Sequence, residues 1–459
     1  MKINKEKKAS ILYLFSTLFN KGIAFLTVPI FTRLLSTSDY GLATTYTSWV
    51  DIFTVVLSLA LYMSIRTAFV DFKEEKKEFL NTIITFTLII SFVFNTIVII
   101  LGQIFRLDIF LIVCAIIQGT AGALLIDYQQ YLMMELKYVQ RSIFLSLPNF
   151  LGAILSIIIL LYIPMSQKYM GRIIPMLITH ILFGIVIMCC VYKKQKPLIN
   201  KKYLKYGLTL SLPLVLHGIA LNVLSQSDRT MITVLASSSE TGIYSLVYNF
   251  GMIATVITTA LEGVWVPWFM SKIEKNSIEE INDKALDYIK LITCAMVGLI
   301  LVGPEILKIL ASKEYWEGIN IIPPIVLANY FVFMYSLHVN VEHYYKKTLV
   351  ITVNTIIAAV VNVILNFLFI PKYGYVAAAY TTVIAYLVAL ILHAKCTYKL
   401  EKNIFPIKDI INPIVTIGII TIMYHIWMNN IIVRWGIFAI YMMTILIKEK
   451  DKIKMYLKS

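Results

Sequence analysis

The strongest constraint on this chain is the recurrence, from one end to the other, of apolar runs about 20 residues long. That is the length at which a helix rising about 1.5 Å per residue crosses a hydrocarbon core of about 30 Å. Fourteen runs are read, at 10–35, 40–65, 79–101, 108–134, 143–163, 171–191, 206–235, 241–268, 285–309, 319–341, 348–370, 374–394, 409–426 and 431–447. Lipid offers the backbone no hydrogen-bond partners, so each run must satisfy its own and forms a helix rather than an open strand. With 59% of 459 residues apolar and only 15% charged, a water-soluble domain could not hide the apolar side chains. The expected fold class is therefore an all-α polytopic integral membrane protein with about 14 transmembrane helices.

The basic residues test that count, because cytoplasmic connections retain Lys and Arg. Taking alternate connections, the N-terminus, 66–79, 135–142, 192–205, 271–284, 343–348, 395–409 and the C-terminal tail hold 30 of the 41 basic residues. The opposite connections hold eight, among them Arg33, Arg106, Arg172 and Arg434, and Lys21, Arg229 and Lys290 fall inside helices. A miscounted helix would scramble this alternation, so both termini are expected in the cytoplasm. The formal charge of +15 is then a matter of topology, and no basic stripe with interleaved aromatics marks a nucleic-acid surface. The five cysteines show no metal-ligand spacing and are expected as buried reduced thiols. No phosphate-binding glycine loop is present, and no cofactor is expected.

The chain repeats itself. Leu35-Ser36-Thr37-Ser38-Asp39-Tyr40-Gly41-Leu42 recurs 201 residues later as Ala236-Ser237-Ser238-Ser239-Glu240-Thr241-Gly242-Ile243, and Ile163-Pro164 with Gly171 is echoed by Ile370-Pro371 and Gly374. The repeat spans six helices. An even number makes both copies enter the membrane in the same direction, giving two parallel six-helix bundles related by an axis along the membrane normal. The domains read as 1–200 and 201–398, with 399–459 an additional helix pair and basic tail. Parallel repeats leave a cleft between them that rocking opens to alternate sides, the architecture of a transporter.

Polar residues inside the segments are the candidate site. The first segment carries 14 Leu, Ile, Phe and Val between Ile11 and Leu35, enough to insert despite Lys21, whose central placement costs roughly 3 kcal/mol. Thr17, Asn20, Ala24 and Thr27 fall at helical spacing beside Lys21 and form a polar stripe. Asp51 lies at similar depth in the second segment, so Lys21 and Asp51 are expected either to pair structurally or to serve transport. Asp127 is the acid of the fourth segment placed in the membrane as a charge. The repeat puts Ser225 to Arg229 inside the seventh segment, with Asn222, Ser225 and Arg229 on one face, and Pro213 is expected to kink it. Asp228 and Arg229 are neighbours in sequence and do not face each other squarely, which leaves a structural role open.

Pro29-Ile30-Phe31-Thr32-Arg33-Leu34-Leu35 running into Asp39-Tyr40-Gly41, Gly242-Ile243-Tyr244 with Tyr248, and Pro371-Lys372-Tyr373-Gly374 with Ala377-Ala378-Ala379 together resemble the polysaccharide-flippase family of Wzx type. That family lies within the MATE-like multidrug, oligosaccharidyl-lipid and polysaccharide exporter superfamily, and the resemblance covers nearly the whole chain. It implies flipping of undecaprenyl-pyrophosphate-linked oligosaccharide repeat units from the inner to the outer leaflet of a bacterial plasma membrane, during O-antigen or capsule assembly. Membrane lipid surrounds such a protein, and a polymerase and chain-length machinery are its implied partners. The family's cationic central cavity would be supplied here by Lys21 and Arg229.

The chemistry agrees. A pyrophosphate calls for cations and a sugar for amides, hydroxyls and aromatic faces. Lys21, Arg229, Asn20, Asn222, Ser225 and Tyr248 are the substrate-binding candidates, with Asp51, Asp127 and Asp228 as ion-coupling candidates. A cation-coupled drug or metabolite antiporter of the same fold is the alternative reading, disfavoured by the central cations. A membrane-embedded glycosyltransferase would need an extramembrane loop with acidic catalytic groups. No such loop is present, so the chain is not expected to be an enzyme.

Overall fold

The computed structural model describes residues 5–105, 109–193, 195–448 and 450, leaving Arg106 and the tail after 450 outside the described residues, together with the side chains of 5–11, 13–15, 18, 213, 214 and 252. The chain is helical along nearly all of that length. In order it forms α1 (Lys5–Leu34), α2 (Thr37–Ser58), α3 (Leu61–Asp71), α4 (Lys76–Phe105), α5 (Phe110–Met134), α6 (Tyr138–Tyr162), α7 (Lys168–Tyr192), α8 (Lys201–Leu235), α9 (Ser238–Glu274) and α10 (Ile278–Leu310). A 3₁₀ segment (Lys313–Ile321), α11 (Ile322–Tyr344), α12 (Thr348–Leu400), α13 (Ile407–Ile426) and α14 (Ile431–Lys448) follow.

Among the described residues, 11 helices are long and apolar enough to cross a membrane, or 12 if the bent pair Lys201–Leu212 and Val215–Leu235 is one span. The expected fourteen is thus approximate, and two breaks account for much of the difference. The 53 residues of α12 would reach about 80 Å as one rod, far beyond one bilayer. At Gly374 the backbone turns to φ 57°, ψ −145°, a conformation open only to a residue without Cβ. The break sits where the sequence reading ends one span at 370 and begins another at 374. In α8 the 48° bend lies between Leu212 and Val215, beside Pro213, whose side chain is outside the described residues. A third break separates α2 from α3, where Leu59 and Ala60 both adopt left-handed backbone.

The chain packs as two compact units, Met1–Gly242 and Ile243–Ser459. In the first, a core of Leu61, Ile65, Phe79, Ile83, Leu124 and Ile187 joins α3, α4, α5 and α7. A second cluster of Ala43, Tyr46, Val50, Ala115 and Ile173 joins α2, α5 and α7. In the second unit, Trp265 and Phe269 are buried beside the ring of Phe405. Outward-facing Phe92, Ile104, Leu368 and Ile432 are exposed, which would favour aggregation in water and is neutral in lipid. Cys189 and Cys190, expected to be buried, are exposed on α7, and all five cysteines are free.

Connections that share a side in the charge pattern gather at the same end of each unit. Lys76 and Lys137 both pair with Glu135, the second at 3.3 Å. Asn81 Nδ2 donates to Lys196 O at 3.0 Å, and Tyr203 Oη to Glu75 Oε2 at 2.6 Å. In the second unit Asn282 bridges to Asn403 O at 2.8 Å and to Phe405 N at 2.7 Å. Tyr424 Oη of α13 donates to Ile319 O of the 3₁₀ segment at 2.8 Å.

Glu135 caps the end of α5. Partial burial pushes its carboxyl upward, but Lys76 and Lys137 outweigh that and hold it below the usual carboxylate range. A carboxyl with a depressed native pKa adds stability above its unfolded pKa of about 4.3, and that stability is lost as pH falls through the lower native value. Glu135→Gln is expected to destabilise the detergent-solubilised protein by about 1 kcal/mol at pH 7. Thermal melts of the two proteins should converge once the pH drops below the native pKa.

Candidate functional site

The repeated turn is a pair of helix starts. Ser36 Oγ accepts from Asp39 N at 3.1 Å, and Ser237 Oγ accepts from Glu240 N at 3.2 Å. Both are serine N-caps with an acid at the third helical position, which favours the positive end of the helix dipole. The two starts then dock on one another. Thr37 Oγ1 lies 2.7 Å from Ser239 Oγ and Ser38 Oγ lies 2.6 Å from Ser238 Oγ. Under the 201-residue offset each residue meets the counterpart of its neighbour. This reciprocity gives the contact itself a local two-fold character. The glycines make the approach possible: a Cβ on Gly41 would stand 1.8 Å from Ser238 O, and one on Gly242 would stand 2.0 Å from Thr37 O.

From this contact a polar seam runs between α2 and α8. Thr45 Oγ1 is 2.7 Å from Thr233 Oγ1, and Thr233 is 2.7 Å from Thr241 Oγ1. Trp49 Nε1 donates to Thr230 Oγ1 at 3.0 Å, and Ser48 Oγ to Gln226 Oε1 at 3.3 Å. Arg229 closes the seam, with Nη1 donating to Gln226 Oε1 at 2.8 Å and to Ser225 O at 3.1 Å. It is buried, as is its neighbour Asp228.

The sequence candidates divide accordingly. Asp51 stands within Coulombic reach of the Arg229 guanidinium, and among the described ion pairs none joins it to Lys21. The reason is rotational: the exposed and buried positions of α2 turn its polar face toward α8. Lys21 is half-buried on α1. Asn20 Nδ2 donates to Leu145 O of α6 at 3.0 Å. Asn222 and Ser225 return their side chains to their own helix, at Gly218 O (3.0 Å) and Asn222 O (3.4 Å). Tyr248 belongs to the second unit and stacks at 5.8 Å on Tyr244. His180 Nδ1 lies 2.8 Å from Met176 O, an ordinary intrahelical contact.

Asp127 is wholly buried, and neither carboxylate oxygen has a hydrogen-bond partner among the described residues. The Thr87 hydroxyl approaches it from α4 without meeting hydrogen-bond geometry, and Ser91, one turn further along α4, also has a buried hydroxyl without a partner. A bare carboxylate in such a place is costly, so this group is a natural holder of a proton or a small cation.

The second unit holds two constellations that the sequence reading missed. His393 Nδ1 and Glu342 Oε2 are 2.7 Å apart, both almost completely buried, with His338 buried one turn from Glu342. Arg434, placed by the charge pattern in an outer connection, lies inside α14 and forms a two-pronged pair with Glu305 while also reaching Leu301 O. Histidines and acids spread along apolar helices were the available signal, but their pairing was not.

The fold is that of a polytopic helical membrane protein in which one serine-capped helix start occurs twice. A family model described as "Polysaccharide biosynthesis protein" matches residues 7–274, more than half of the chain, and the chain belongs to that family. "Lsg locus putative protein 1" of Haemophilus influenzae is 22% identical over 385 residues, 78% of this chain and 90% of that protein. The lipid II flippase MurJ, solved in an inward closed conformation, is similar with TM-score 0.70 and 20% identity over 97% of this chain and 99% of its own. An inward-facing multidrug MATE transporter of the MOP superfamily is similar with TM-score 0.60 and 13% identity over 84% and 96%. At these identities the likeness establishes the fold.

If the glycines license the docking of the two helix starts, a side chain there must part them. With the native cysteines replaced, Thr37→Cys combined with Ser239→Cys is expected to cross-link readily under mild oxidation. Adding Gly41→Val should abolish the cross-link; equal yield in both backgrounds would show that the contact does not depend on the glycine.

Proposed function

We propose that this protein flips a lipid-linked oligosaccharide from the cytoplasmic to the outer leaflet by alternating access, as a step in polysaccharide assembly. The cargo class is an undecaprenyl-pyrophosphate-linked repeat unit of an O-antigen or capsule. The observation that carries this reading is the coincidence of a polysaccharide-biosynthesis family match with a likeness, over nearly the whole length of both chains, to a protein titled a lipid II flippase. The repeat bodies 1–200 and 201–398 are the moving parts, with 399–459 as an appended pair. Both termini lie in the cytoplasm of a bacterium whose inner membrane holds the protein, and polymerase and chain-length proteins act after it. Lys21 and Arg229 receive the pyrophosphate, helped by Asn20, Asn222 and Ser225, while Tyr248 offers a sugar-stacking face.

Coupling to a proton or sodium gradient falls to Asp127, whose oxygens lack partners among the described residues, with Asp51 and Asp228 setting the charge balance along the α2–α8 seam. The likeness to a multidrug MATE transporter supports the second reading, a cation-coupled antiporter.

Proteoliposomes separate the two. A fluorescent undecaprenyl-pyrophosphate oligosaccharide is expected to exchange leaflets faster with the protein than without it. Lys21→Gln should slow exchange roughly 10- to 100-fold, the worth of a charge-assisted phosphate contact, without shifting the melting temperature. Efflux of a cationic dye without any lipid exchange would favour the antiporter instead. Asp127→Asn should leave downhill exchange intact and remove its response to an imposed pH or sodium gradient. A gradient response that survives this substitution would take the coupling role away from Asp127.

A further inference from the structure

The charge pattern puts Arg172 in an outer connection, but the structure sets it in the second turn of α7, facing α1 and α2. Its guanidinium lies 4.5 Å from the Phe31 ring and 4.9 Å from the Tyr40 ring. Both rings are buried, at 4% and 0% exposure. Stacking of this kind holds an arginine in position and leaves its in-plane N–H groups free to donate. No described residue accepts from them, and Nη1 is buried without a partner. Asp39, next to Tyr40 in sequence, has one oxygen taken by Ser36 Oγ at 2.6 Å and the other by Tyr169 N at 3.1 Å.

This arginine lines a cavity of about 290 Å³ within the first unit, together with Asn20, Tyr46, Gln118, Asn149 and Ser156. No acid is among the lining residues. Several polar groups already point a particular way. Tyr46 Oη donates to Gln118 Oε1 at 2.9 Å, which fixes the amide so that its NH₂ is left to donate elsewhere. Asn20 Oδ1 is buried without a partner, an acceptor for a hydroxyl. The space suits one small molecule and excludes a lipid-linked oligosaccharide.

A cation held beside two aromatic rings, with no counter-ion among the described residues, in a largely apolar and acid-free cavity that carries a few polar groups, lacks one thing: negative charge. We propose that this cavity in the first unit is a binding site for a small monovalent anion, the carboxylate of a single acidic sugar residue or an inorganic halide. The anion accepts from the Arg172 guanidinium in the plane left open by the stacked rings. Hydroxyls of an acidic sugar would in addition meet Asn20 Oδ1. This site lies apart from the α2–α8 seam and shares only Asn20 with the cargo contacts proposed above, so its test through Arg172 does not depend on the flippase reading.

The test is thermal stability of the purified full-length protein in detergent, titrated at constant sodium with glucuronate, glucose or chloride against a bulky sulfonate buffer anion. A bound ligand raises the melting temperature by mass action. Glucuronate is expected to stabilise the wild type and glucose is not. Arg172→Gln should weaken the apparent affinity roughly 10- to 100-fold, the loss of a charge-assisted hydrogen bond, while Arg172→Lys retains part of it. A shift with glucuronate alone assigns the site to a sugar carboxylate. An equal shift with chloride assigns it to an inorganic anion. No anion-dependent shift in the wild type, or one equally large with glucose or in Arg172→Gln, would overturn the proposal. Because the wild-type comparison needs no variant, it decides even if Arg172→Gln fails to fold. Lipid exchange in proteoliposomes is read separately, so loss of the anion site leaves the flippase test untouched.

Discussion

Hydrocarbon gives a polar group nothing to bond with, so a polar side chain carried into this protein is costly unless its own helix or another part of the chain meets it. That constraint organises the structure more than apolar packing does, since lipid tails solvate leucine as well as a helix neighbour would. The consequence is visible wherever hydroxyls and amides gather. They form a line between α2 and α8 from Thr45–Thr233 through Trp49–Thr230 to Ser48–Gln226–Arg229.

The contact between the starts of α2 and α9 follows the same logic at closer range. It consists of two hydroxyl pairs over a backbone approach that leaves no room for a Cβ. Each such hydrogen bond is worth on the order of 1 kcal/mol within a membrane protein. A contact of that strength holds its arrangement without locking it. A salt bridge or an aromatic cluster in its place would be harder to open. The end carrying the Phe72, Phe79, Tyr203 and Tyr206 rings and the Glu135 pairs is tied together far more heavily.

Positive charge inside the protein is handled in several ways. Arg434 meets a carboxylate and a carbonyl, Arg229 meets an amide, a carbonyl and the field of Asp51, and Arg172 meets only ring faces among the described residues. The first is neutralised and ties α14 to α10, where it fixes the position of the last helix. Arg172 keeps a buried Nη1 from which no described residue accepts. On the flippase reading proposed above, such positive character would suit an anionic cargo.

Much of this was legible in one dimension. Apolar run length dictated a helical membrane protein because only a helix satisfies its own backbone. The alternation of lysines grouped connections such as 66–79 and 135–142, which meet through Lys76, Glu135 and Lys137, and the recurrent turn marked two serine-capped helix starts that touch. Pro371 and Gly374 marked the break in α12, since few other residues could sit there. What the tertiary structure alone decided is which polar groups meet. Helical periodicity reports that Asp51, Arg172, Glu342 or Arg434 lies on some face of its helix, but the rotation and tilt of each helix come from packing against neighbours far away in the chain. So the partner of Arg434 stands 129 residues off and that of His393 stands 51 residues off. Asp51 comes within the field of Arg229, and Arg172 comes to rest beside two rings with Nη1 met by no described residue.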